Sequence, residues 1–165
     1  MSLNFKVSGS GEPLLLIHGL FGSLENLAGI ARPLSEQFTV YSIDLPNHGK
    51  SPHSNETSLA LMAEQVGAWL DEQGLQQVYL VGHSLGGKVC MELALRQPER
   101  SLGLVVVDIA PVHYEPHHND VLAGLFRMLD QQSAIGIDFL EILGDARMIR
   151  VRADALQIVV EMRQI

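Results

Sequence analysis

The chain has 165 residues, 47% of them hydrophobic, a formal net charge of −8 and one cysteine, Cys90. This apolar content suits one packed domain rather than two, and an acidic chain without any Lys/Arg run offers no electrostatic footprint for DNA or RNA. No stretch reaches the roughly eighteen apolar residues of a membrane span, Met1 to Lys6 contains no signal-peptide core, and a lone cysteine fits a reducing compartment, so the cytoplasm is the expected location.

From the N-terminus, Leu3 to Val7 alternates polar and apolar residues like a half-exposed edge strand, and Gly9-Ser10-Gly11-Glu12-Pro13 supplies the turn after it. Leu14 to Ile17 is an all-apolar run, the pattern of a parallel strand buried on both faces. Leu24, Leu27, Ala28, Ala31 and Leu34 then recur at helical spacing, and Pro33 should kink or divide that helix. Phe38 to Ile43 forms the next strand. Leu59, Met62, Ala63, Val66 and Leu70 repeat the helical pattern, with Thr57 or Ser58 as N-cap and Gly74 as the stop. Val78 to Val81 and Leu104 to Val107 read as two more buried strands. Between them Val89, Leu93 and Ala94 mark a third helix, which ends before Pro98. Strands alternating with helices through short loops predict an α/β fold, a doubly wound and mostly parallel sheet. Residues 121 to 165 read as helical, Ala155, Leu156, Ile158, Val159, Val160 and Met162 included.

The chemistry concentrates in Gly82-His83-Ser84-Leu85-Gly86-Gly87, which lies between a predicted strand and a predicted helix. This is the G-x-S-x-G nucleophile elbow in its proper context. A serine on so sharp a turn takes a strained backbone, and the residues two before and two after it crowd together, so Gly82 and Gly86 must lack side chains. The turn presents Ser84 Oγ at the sheet edge and aims a helix N-terminus at the reacting atoms. Acyl transfer also needs two backbone N–H donors for the carbonyl oxygen. Leu85 offers one, and Leu20, in the loop His18-Gly19-Leu20-Phe21-Gly22 after the first buried strand, can offer the other. His18 reads as a hydrogen bonder that organises this loop rather than as a general base.

These segments, with Asp44-Leu45-Pro46-Asn47-His48-Gly49, Ser51 and Asp108-Ile109-Ala110-Pro111-Val112, resemble the small bacterial carboxylesterases of the α/β-hydrolase superfamily from about Leu14 to Tyr114. The resemblance implies cleavage of short to medium acyl esters, in some members of acyl-CoA thioesters, without a cofactor. It also implies a catalytic aspartate at the end of the sixth strand of that fold, which matches Asp108. Independently, Asp108 closes a buried parallel strand, the edge where sites of open α/β sheets collect, and a carboxylate there can orient an imidazole. Its alternative role is a loop aspartate that caps a turn. Asp44, at a similar strand end, is expected to tie down the loop that follows it.

The resemblance further implies a general-base histidine near the C-terminus, after an eighth strand, and neither lies within this chain. His113, His117 and His118 follow Asp108 in order but leave the same strand, and without a cysteine or a carboxylate cluster beside them they read as a solvated loop, not a metal site. The expected organisation is a hydrolase core over 1–114, its C-terminal part missing, and the start of a helical cap over 115–165. Two function classes follow: a serine esterase acting through an acyl-enzyme on Ser84, or a truncated, non-catalytic hydrolase-like binding protein. A C–C bond hydrolase or perhydrolase would use a similar elbow. An unpartnered strand at Leu104 to Val107 would also leave an exposed sheet edge for self-association.

Overall fold

The computed structural model describes residues 2–109, 148–152 and 157–161, all within one compact unit formed by Met1–Ala110 and Asp145–Ile165. The strands are β1 (Phe5–Ser8), β2 (Glu12–Ile17), β3 (Phe38–Ile43), β4 (Val78–His83), β5 (Ser101–Val107), β6 (Met148–Arg152) and β7 (Gln157–Glu161). The helices are α1 (Ala28–Leu34), α2 (Leu59–Glu72) and α3 (Leu85–Arg96). They form a single sheet of order β1-β3-β2-β4-β5-β6-β7. Its centre, β3-β2-β4-β5, is parallel, while β1, β6 and β7 are antiparallel to their neighbours.

The burial of β2 explains its composition. Leu14 to Ile17 are all buried because the sheet is covered on both faces. Leu15 and Ile17 join the core built with Leu80, Val106, Trp69, Leu70, Val89 and Leu93, which α2 and α3 bring to one face. By the period of two, Leu14 and Leu16 point the other way, beside their register partners Val40 and Ser42, to the face where Leu24, Leu27 and Ala31 are buried. The expected doubly wound α/β sheet is therefore present.

The helix boundaries follow local chemistry. Ser58, not Thr57, caps α2: its Oγ accepts the Leu61 N–H at 3.1 Å. Beyond the last turn Gly74 takes φ +70° and the Leu75 N–H donates to the Leu70 carbonyl at 2.9 Å, closing the helix as expected. The segment before β3 divides elsewhere than at Pro33. Leu24–Leu27 is a turn of 3-10 helix in which the Ser23 N–H donates to Asn26 Oδ1 at 2.7 Å, so the break falls at Ala28 and Pro33 sits within α1.

Two expectations for the end of the chain do not hold. Met148–Arg152 and Gln157–Glu161 are strands, not helix. Their β-branched residues, Ile149, Val151, Ile158, Val159 and Val160, favour extended backbone. In consequence β5 is not an edge, since Leu104 to Val107 pair with β6 on the side away from β4. Other residues of the expected helical segment, and His113, His117 and His118, lie outside the described residues.

Candidate active site

The parallel core positions the site. From β2 the chain adds β3 on one side and β4 on the other, so the switch point at which open α/β sheets form their crevice lies at the carboxyl ends of β2 and β4. Ile17 pairs with Gly82 there, and the next residues out are His18 and Gly19 on one strand, His83 and Ser84 on the other. His83 in turn pairs with Val107, which puts Asp108 beside the elbow.

Ser84 has φ +49° and ψ −114°, a conformation that side chains rarely adopt, between β4 and the first residue of α3. Packing holds it there. A Cβ on Gly82 would run into the backbone of Gly86, and one on Gly86 into the carbonyls of Ile17 and His18. The Ser84 N–H donates to the Val107 carbonyl at 2.9 Å, which fastens the elbow to β5. Lys88 N–H to Ser84 C=O, 3.1 Å, opens the helix behind it.

His18 is wholly buried, and both ring nitrogens are engaged: Nε2 accepts the Leu45 N–H at 3.0 Å, so the proton is on Nδ1, which donates to the Gly19 carbonyl at 2.8 Å. Burial keeps its pKa below the ordinary value, in keeping with a neutral ring. The histidine thus straps the loop after β2 to the loop after β3. It has no nitrogen left for proton transfer.

Asp44 organises the second loop. Its Oδ1 accepts the Leu24 N–H at 2.7 Å, and its Oδ2 accepts the Lys50 N–H at 2.8 Å and the Asn4 amide at 2.7 Å. Burial pushes its pKa up, but these hydrogen bonds outweigh it and hold the carboxyl below its ordinary value. Gly49, at φ +53°, lies so close to the carboxylate that no side chain fits. Asp44 is therefore a loop anchor.

A cavity of about 580 Å³ opens over these loops, lined by the apolar side chains of Leu20, Phe21, Leu59, Met62 and Leu85 and by Asn47, His48 and Ser58. Leu20 and Leu85, the two expected donors, border the same space. Asp108, at φ +58°, leaves β5 with its carboxylate half exposed, and His83 Nε2 stands 3.7 Å from its Oδ2. Burial lowers the pKa of His83, and Asp108 partly offsets that. Sequence reasoning missed His83 and the cavity wall from α2; the first was readable in principle from the strand register that places it opposite Val107. Among the described residues no group of three or more His, Cys, Asp or Glu is arranged to hold a metal ion.

The family model for the alpha/beta hydrolase fold matches residues 12–137, most of the chain. The chain belongs to the alpha/beta hydrolase fold family. Among its relatives, this α/β-hydrolase is 35% identical over 125 residues to Esterase YbfF of Escherichia coli, covering 76% of the chain and 49% of that protein. It is 42% identical over 117 residues to sn-1-specific diacylglycerol lipase ABHD11 of Danio rerio, covering 70% of the chain and 37% of the relative. A solved marine microorganism esterase superposes with a TM-score of 0.72 at 34% identity, over 87% of this α/β-hydrolase and 61% of that chain. The chain thus spans half or less of the length of these curated relatives. Among the described residues no helix is long and apolar enough to cross a membrane.

Proposed function

We propose that this α/β-hydrolase is the nucleophile-bearing part of a serine esterase, with Ser84 attacking the carbonyl of a short to medium acyl ester. The observation that carries this reading is the strained Ser84 at the head of α3, next in sequence to Leu85, which lines a largely apolar cavity. The Ser84 Oγ–carbonyl bond forms as the carbonyl oxygen takes the negative charge, which the N–H groups of Leu20 and Leu85 and the N-terminus of α3 stabilise. Collapse expels the alcohol and leaves an acyl-enzyme, which water then cleaves. An imidazole from outside the described residues takes the Oγ proton and returns it to the leaving alcohol, and Asp108 orients that ring. Relatives named as an esterase and a lipase support the reaction class, and the single, buried Cys90 supports a reducing, cytoplasmic setting.

An activated aryl phosphonate should label Ser84 alone, as read by mass spectrometry of the modified peptide, and Ser84→Ala should abolish the adduct. Label on Ser23 or Ser51 would remove the assignment. Acyl-CoA and p-nitrophenyl esters of graded length, offered to the enzyme together with its general base, separate thioester from ester preference. A labelled Ser84 without turnover of either is the result expected of a hydrolase-like binding protein.

A further inference from the structure

We infer that His83, the residue before the nucleophile, is a positioning residue that ties the acid Asp108 to the loop carrying the oxyanion donor Leu20. The inference deepens the serine-esterase reading and rests on it. His83 closes β4, and its largely buried ring spans the gap between two loops that have no backbone hydrogen bond to each other in the described residues.

On one side, a Cβ built on Gly19 would lie 2.7 Å from His83 Nδ1 and 3.3 Å from Ser84 Cβ, so the ring packs directly on the backbone of Gly19, one residue before Leu20. On the other side, Nε2 stands 3.7 Å from Asp108 Oδ2. That separation is too long for a full hydrogen bond and short enough that a small closing movement makes one. Among the described residues His83 pairs with the Asp108 side chain. Oδ2 is the oxygen paired with His83, and in this reading Oδ1 takes the imidazole of a triad.

The placement makes mechanical sense. The Asp108 backbone is in the left-handed region and its side chain is half exposed, so the carboxylate needs a partner to keep one orientation. The Gly19-Leu20 turn is held from below by His18 and from the side by the His83 ring. One side chain thereby sets the angle of the acid and the approach of an oxyanion donor. Neither role involves contact with substrate.

The test uses the whole chain and an aryl phosphonate, whose phosphoryl oxygen occupies the oxyanion position. His83→Ala should slow labelling of Ser84 about tenfold, since the loop donor is loosened rather than removed. His83→Gln, whose amide N–H can reach Asp108 and whose bulk covers Gly19, should recover most of that rate. Independently of any variant at 83, the imidazole nitrogen signals of His83 should titrate at lower pH in Asp108→Asn than in the wild type, because the carboxylate that favours the charged ring is gone. Labelling of His83→Ala at the wild-type rate, or a His83 titration indifferent to Asp108→Asn, would overturn the inference. A wild-type chain that is not labelled at Ser84 would instead sink the esterase reading.

Discussion

At the scale of single residues, what the sequence disclosed were the positions where chemistry leaves little choice. Gly82, Ser84 and Gly86 were legible because the strained turn that carries the serine leaves no room for a side chain at 82 or 86, and the geometry gives the reason atom by atom. Gly82→Ala should destabilise the fold by about 3 kcal/mol, as overpacking against backbone does, read as a lowered urea midpoint. The His83–Asp108 approach was not legible, since it depends on register between β4 and β5 that no local pattern encodes. Asp44 carries a pH prediction. Its folded pKa lies below the ordinary 3.8, so its stabilisation is complete above that value and is lost as pH falls through the folded pKa. The urea midpoint of the wild type should therefore exceed that of Asp44→Asn near neutrality, with the gap closing as pH drops below about 4. A gap that persists unchanged to pH 2 would assign the effect to shape rather than charge.

At the scale of elements, period and caps carried most of the information. β2 was readable as an all-apolar run, and the helices α2 and α3 because each has an apolar period and a distinct stop, Gly74 for α2 and Pro98 beyond α3. Ser58→Ala should cost about 1 kcal/mol, because one N–H of the first turn of α2 loses its acceptor, and thermal unfolding would show it. Failure came where an apolar run has two readings. Ile158, Val159 and Val160 fit a helical face as well as a strand, and only their β-branching favours the strand. The division of the segment before β3 was misplaced for a different reason: a serine–asparagine cap at Ser23 and Asn26 set the break, and Pro33 did not.

At the scale of the whole molecule, the sheet order decides which strand meets solvent. Leu104 to Val107 are paired on both sides, and among the described residues the outer strands are β1 and β7. A version cut to residues 1–110 loses β6 and uncovers the N–H and C=O groups along β5, so it should associate in sedimentation velocity more strongly than the whole chain. A monomeric 1–110 at the same concentration would show that β5 needs no cover. The N–H of Ser84 donates to the carbonyl of Val107, the last residue of β5, and so ties the elbow to the central sheet. Amide exchange at Ser84 should then be as slow as in the middle of β4, opening only when the central sheet opens. The reactive serine would have no private route to disorder: heat should erase phosphonate labelling and the folded sheet in the same transition, leaving no interval in which an intact protein has lost its nucleophile.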